Sequence, residues 1–132
     1  MKYNKFFILL AFVFAMSLSV MADNDRVINF NQLPAKSQAL LKSQFADKVP
    51  ILVTADFDDF KVLFQSGEKV KFSKNGEWKE FDFKFSSVPP ALIPENIKAS
   101  VKQNFPQAKI IKLEREFNGF EIKLNNGIEL KL

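Results

Sequence analysis

EFNGFEIKLNNGIELKL (Glu116–Leu132) has a counterpart sixty positions earlier, DFDDFKVLFQSGEKVKF (Asp56–Phe72). Aromatics, turn residues and charges fall at matching places in the two stretches. The match extends upstream without a gap, over forty positions from Leu33–Phe72 against Ile93–Leu132. Identities include Pro34/Pro94, Ala39/Ala99, Lys42/Lys102, Phe45/Phe105, Phe57/Phe117, Phe60/Phe120, Gly67/Gly127 and Lys71/Lys131. A repeat of this length is one supersecondary unit, copied.

Each unit opens with a helix. Pro94 suits the first helical position and Glu95 favours the helix N-terminus. Ile97, Val101 and Phe105 follow as one apolar stripe, and Pro106 stops it. The first unit has Pro34, then Leu40, Leu41 and Phe45, with Pro50 beyond. Strands come next. Asn118-Gly119 reads as a two-residue hairpin turn that pairs Phe117 with Phe120, Arg115 with Ile122 and Leu113 with Leu124. At Asn125-Asn126-Gly127 a two-residue loop would mix faces. A three-residue loop with Gly127 left-handed pairs Ile122 with Leu130 and Phe120 with Leu132. The same register in the first unit pairs Phe60 with Phe72 and Val62 with Val70. A turn at Lys74–Glu77 then leads to a further strand carrying Phe81, Phe83 and Phe85. The expected fold is α+β: a tandem repeat (33–85 and 86–132) of helix plus antiparallel strands, seven strands in all, with the helices packed on one face of the sheet.

Register also orders the other face. Glu114 is expected opposite Lys123, Lys123 opposite Glu129, and Glu121 opposite Lys131. In the first unit Asp56 faces Lys61, Lys71 faces Glu80 and Lys69 faces Asp82. Lys61–Lys71 and Glu116–Glu121 are like-charged exceptions. Unbroken alternation pairs Trp78 with Ser73 and points the indole outward, beside Leu63 and Leu52; a bulge at Asn75-Gly76 would bury it instead. An outward Trp is a plausible interface anchor. The alternative is a solvated face whose charges neutralise one another.

The start of the chain reads as a targeting segment. Lys2 and Lys5 precede an apolar run, Phe6–Val20, of 15 residues. That is short of the roughly 20 a spanning helix needs. Val20-Met21-Ala22 fits a cleavage site, so residues 1–22 are expected to be a signal peptide cut after Ala22, leaving a periplasmic protein without stable membrane insertion. Residues 23–32 form a polar lead-in and 33–132 a single domain. The exported part carries 17 basic and 15 acidic residues, a net +2 too weak to imply a strong electrostatic partner. Cysteine is absent, so the core must hold the domain together. Twelve of the 16 Phe lie outside the leader and can supply that core.

Much chemistry is missing. Without His or Cys there is no Ser-His or Cys-His nucleophile pair, no ordinary zinc site and no imidazole acid–base work. Four Gly form no phosphate loop. Asp56, Asp58 and Asp59 lack calcium-loop spacing and read as turn formers. Asp58-Asp59 and Glu114/Glu116 read as turn and strand charges rather than catalytic pairs. Near-neutral charge and interleaved acids disfavour nucleic acid. No enzyme, cofactor or metal site is expected.

FKVLFQSGEKVKFSKNGEW (Phe60–Trp78) and VPPALIPENIKASVKQNFPQAKIIKLEREFNGFEIKLNNGIELKL (Val88–Leu132) resemble the PepSY-like, β-lactamase-inhibitor-protein-like family of small periplasmic proteins of Bacteroides-type bacteria. The resemblance covers residues 27–132, and its motifs are structural ones. It implies a curved antiparallel sheet of the kind that grips a target enzyme by its concave face, and PepSY modules are thought to restrain peptidases. It carries over no catalytic or target-contact residue, and the second unit stops at Leu132 without the extra strand. The expected function is a non-enzymatic protein-binding module, an inhibitor of an envelope enzyme in one version, acting through Trp78, Leu63, Lys61, Lys69 and Lys71. The alternatives are a periplasmic carrier or sensor of a small ligand and an envelope structural protein.

Overall fold

A computed structural model describes residues 25–132. The expected signal peptide and its cleavage site lie outside the described residues. Among the described residues the order is β1 (Arg26–Val27), α1 (Ala35–Gln44), β2 (Pro50–Ala55), β3 (Asp59–Phe64), β4 (Lys69–Ser73), β5 (Trp78–Asp82), α2 (Glu95–Asn104), β6 (Ile110–Glu116), β7 (Gly119–Leu124) and β8 (Glu129–Lys131). Short 3-10 turns, Phe30–Gln32 and Pro90–Leu92, precede the two helices. All eight strands form one open sheet in sequence order, every pair antiparallel. The expected strands are present, and Arg26–Val27 of the lead-in adds the eighth by pairing with Thr54 and Ala55.

The core lies between the helices and one sheet face. Val62, Phe64, Val70, Phe72, Phe81, Leu113, Ile122 and Leu124 alternate inward along their strands and are buried. Leu41 and Phe45 of the α1 segment, and Ile97 and Val101 of α2, close over them. Phe45 stacks on Phe64 at 5.4 Å between ring centres and meets Phe83 edge-on at 5.7 Å. Each such side chain removed from water is worth about 1.5–3 kcal/mol. Both helices start directly after a proline in extended conformation, Pro34 and Pro94, which leaves each proline one place outside the helix rather than within it. The Ser37 hydroxyl of α1 donates to the Gly76 carbonyl at 2.9 Å and ties α1 to the β4–β5 loop. A Cβ at Gly76 would stand 2.9 Å from Cβ of Pro34, so that approach requires glycine.

Three expectations hold in register. Phe60 faces Phe72 and Val62 faces Val70. Ile122 faces Leu130, and Phe120 exchanges both backbone hydrogen bonds with Leu132. Leu124 N–H donates to the Ile128 carbonyl, leaving a three-residue loop with Gly127 at φ +89.

Three others are corrected. The β6–β7 turn is centred on Phe117-Asn118, not Asn118-Gly119: Glu116 faces Gly119, Arg115 faces Phe120 and Leu113 faces Ile122. The glycine serves a distant contact, because a Cβ at Gly119 would stand 2.1 Å from the Leu132 carbonyl oxygen. Side chains keep their faces, since partners move by two residues. Glu114 therefore faces Glu121 and Lys112 faces Lys123, in place of the expected Glu114–Lys123 pair. The β2–β3 turn is likewise Phe57-Asp58, so Lys61 faces Thr54 rather than Asp56. Asp56 does form the turn, its Oδ1 accepting the N–H groups of Asp58 at 2.8 Å and Asp59 at 2.7 Å.

Trp78 is the second correction. Lys71 faces Glu80 but Phe72 faces Trp78, so Lys79 is an extra, bulged residue. The bulge turns the indole into the core, where it is 8% exposed, 4.6 Å from the Phe81 ring and capped by the Arg115 guanidinium at 4.0 Å. Lys79 itself turns to Asp59 at 2.6 Å. The third concerns Phe85. Strand β5 stops at Asp82, Phe83 still bonds to Ile111 through its N–H, and Phe85 is 88% exposed beside Gly67.

Candidate functional site on the helix-free sheet face

The face opposite the helices is built from the alternate residues of the same strands. Across β3 to β8 one row reads Lys61, Lys71, Glu80, Glu114, Glu121, Lys131. The row beside it, from β2, reads Leu52, Leu63, Lys69, Asp82, Lys112, Lys123, Glu129. A cation pair thus sits at one end of the first row and three adjacent acids in its middle. Opposite charges across strands contribute about 0.2–1 kcal/mol each, and like charges directly opposite destabilise. Lys61–Lys71, Glu80–Glu114, Glu114–Glu121 and Lys112–Lys123 are all like-charged neighbours.

Glu80 is the hub. Its side chain is 6% exposed, with Lys71 at 3.5 Å and Lys112 at 3.4 Å. Burial pushes its carboxyl up, but Lys71, Lys69 and Lys112 outweigh that and hold it below the ordinary range. Its neighbour Glu114 is driven the other way, raised by burial, by the Glu80 charge and by a hydrogen bond with Glu116. Carboxylate oxygens of Glu114, Glu116 and Glu121 lie within 4.8 Å of one another, a spacing that a hard divalent cation could bridge.

Of the residues singled out from the sequence, Lys61, Leu63 and Lys69 line a cleft of about 280 Å³ at the β2–β4 end of this face, together with Leu52, Asp25 and Asp82. Lys71 lies beside them, engaged with Glu80. Trp78 lies on the opposite face and is not a surface anchor. The sequence reading missed Asp25, which comes from the lead-in and bonds Lys61 at 3.4 Å. It also missed the acidic row, because that row depends on the true β6–β7 turn. A second, open cleft of about 460 Å³ runs along α2, between Val101 and Ile110. No helix among the described residues is long and apolar enough to cross a membrane.

One open eight-stranded antiparallel sheet, backed on one face by two helices and charged on the other, defines an α+β protein of simple meander order. The chain belongs to the PepSY-like family, whose model, described as "putative beta-lactamase-inhibitor-like, PepSY-like", matches residues 58–132. Three solved structures are similar along nearly their whole length. A "putative calcium-regulated periplasmic protein" from Bacteroides thetaiotaomicron is 39% identical, with a TM-score of 0.80 over 83% of this chain and 90% of its own. A "putative periplasmic protein" from Bacteroides vulgatus is 38% identical, with a TM-score of 0.77 over 84% of this chain and 92% of its own. Another from Bacteroides vulgatus, described as of unknown function, is 30% identical, with a TM-score of 0.77 over 82% and 90%. All three are described as periplasmic and none as an enzyme. None of the curated proteins matches the chain.

Proposed function

We propose that this protein is an exported, non-enzymatic protein-binding module that engages its partner through the helix-free sheet face. The observation that carries this reading is the charge segregation on that face. A sheet tuned only for stability alternates signs across strands; here, along the first row, a basic pair (Lys61, Lys71) and three successive acids (Glu80, Glu114, Glu121) stand side by side, next to a cleft that holds Lys69 and exposes Leu52 and Leu63. Like charges set opposite one another break a local rule of sheet stability, and such breaks are expected at functional surfaces. The partner surface is the electrostatic complement of the first row, acidic opposite Lys61 and Lys71 and basic opposite Glu114 and Glu121. The family description adds inhibition of an envelope enzyme as the version to test first.

Two organisational readings accompany this. Cleavage after Ala22 would release the mature chain into the periplasm, where the similar proteins are described. Duplication of one helix-plus-strands unit accounts for the sixty-residue spacing. It is supported by bulges at Ile51 and at Ile111, sixty positions apart.

The test is capture of envelope proteins of the source organism on the immobilised protein, with Leu63→Ala and Lys61→Glu/Lys71→Glu as parallel baits and Lys36→Glu on the helix side as control. A protein held by the wild type and the control but lost by both face variants supports the reading. Equal retention by all baits moves the site off this face. A second reading rests on Glu114, Glu116 and Glu121 and on the calcium regulation named for the similar Bacteroides protein: calcium bound there would neutralise the acidic block. Calcium should then raise the melting temperature of the wild type and not of Glu116→Gln/Glu121→Gln. An equal rise in both would rule that site out.

A further inference from the structure

The two edges of the sheet differ. At one edge β1 has two residues and passes into a 3-10 turn, too short to template a partner. At the other, β8 carries Glu129–Lys131 with no strand beyond it among the described residues. Its sequence counterpart β4 is covered by β5.

The backbone of β8 fixes which groups are free. Phe120 exchanges both hydrogen bonds with Leu132, and Leu124 donates to Ile128. In an antiparallel ladder hydrogen-bonded pairs alternate with non-bonded ones. Ile122–Leu130 is thus a bonded pair, while Glu129 and Lys131, opposite Lys123 and Glu121, turn their N–H and C=O groups away from β7. Ile128, Leu130 and Leu132 face the helix side. The first two pack against the core, and Leu132 is 43% exposed.

We propose that the β8 edge pairs with β8 of a second copy, antiparallel and centred on Leu130. In that register the outward backbone groups of Glu129 and Lys131 meet those of Lys131 and Glu129 in the second copy, so the free donors and acceptors fall into bonded pairs. The side chains agree with the backbone. Glu129 meets Lys131 twice on the outer face, Leu130 meets Leu130 on the helix side, and Ile128 meets Leu132. The segment IELKL is self-complementary in both charge and apolarity, as an interface with two-fold symmetry requires. Charged residues on an edge ordinarily discourage pairing; here their alternating sign lets one orientation and one register escape that penalty. A ladder this short makes a weak, concentration-dependent dimer. The surface is separate from the cleft at Leu63, so either proposal can fail alone.

Sedimentation equilibrium on the purified protein tests it, with Glu129→Lys, Lys131→Glu and Lys131→Pro beside the wild type. The wild type should form dimers as concentration rises. Each charge variant faces itself with two like-charged pairs and should self-associate roughly tenfold to a hundredfold more weakly. An equimolar mixture of Glu129→Lys and Lys131→Glu restores both attractions and should form the heterodimer. Lys131→Pro removes an outward N–H that the monomer does not use, so it should stay folded by circular dichroism and remain monomeric. A wild type that stays monomeric at its highest soluble concentration overturns the proposal. So does a dimer that both charge variants leave intact, or a mixture that fails to pair.

Discussion

Replacing Trp78 with Ala separates a core residue from a surface anchor. The indole is 8% exposed, in contact with Phe81 at 4.6 Å and Phe120 at 6.4 Å between ring centres, under the Arg115 guanidinium. Truncating a buried Trp to Ala costs about 3–5 kcal/mol through lost transfer energy and the cavity left behind. Loss of the cation–π contact adds about 0.5–1 kcal/mol. A domain of this size has about 5–15 kcal/mol in total, so the variant should lose a large fraction of its stability. Urea unfolding followed by far-UV circular dichroism reads this directly, because the only Trp is the residue removed. With a slope of about 1–3 kcal/mol per molar, the midpoint should fall by roughly 2 M. Trp78→Phe, which keeps a ring against Phe81, should fall by less than half as much. A loss below about 1 kcal/mol would refute the Lys79 bulge and return the indole to the surface.

Glu68 provides the pH prediction. Burial opposes its ionisation, but the Ser66 hydroxyl and Lys48 at 3.0 Å outweigh it and bring its pKa to about 2, from 4.5. The folded value is the lower one, so its stabilisation is complete above pH 4.5 and is lost as pH falls from 4.5 towards 2. Glu68→Gln should cost on the order of 3 kcal/mol at pH 7, and the two melting curves should converge near pH 2; a gap that persists at low pH refutes the ionic origin. Ser37→Ala should cost about 1–3 kcal/mol in urea unfolding, because it leaves the buried Gly76 carbonyl without its donor. Gly119→Ala forces Cβ against the Leu132 carbonyl and should release β8, read as lost hydrogen-exchange protection at Phe120 and Leu132 with protection at Val62 kept.

Local signals carried most of the fold. The 125–127 loop was legible because any other length would have mixed Ile122 with Lys131, a contradiction visible within one hairpin. The stripe Ile97, Val101 was legible because its four-residue spacing lies within a single helix. The β6–β7 turn was not, because Asn118-Gly119 is the strongest short hairpin signal, yet the glycine answers to Leu132, thirteen residues away in sequence. Trp78 failed similarly. Phe81 and Phe83 set the inward parity of β5 on odd numbers, and Trp78 is even. An apolar residue of the wrong parity requires a bulge, but Lys79 bears no glycine or proline to announce one. Strand β1 was invisible because two residues carry no periodicity, and its pairing with Ala55 is wholly tertiary.

The acidic row is where fold and function make opposite demands, and Glu114 lets them be measured against each other. It stands between Glu80 and Glu121, facing a like charge on each side, and burial together with the Glu80 charge raises its carboxyl. Glu114→Lys turns both cross-strand repulsions into attractions without touching the helix side. Each reversed pair is worth on the order of 0.2–1 kcal/mol, so the variant should be more stable than the wild type by about 0.5–2 kcal/mol in urea unfolding. If the acidic block meets a basic patch on the partner, the same change should weaken capture, chiefly by slowing association and most visibly at low salt. A surface whose charges serve only solubility would gain the stability and lose nothing. An unstabilised Glu114→Lys would refute the row geometry itself. A stabilised variant that binds as well as the wild type would leave the fold standing and remove β5–β7 from the interface.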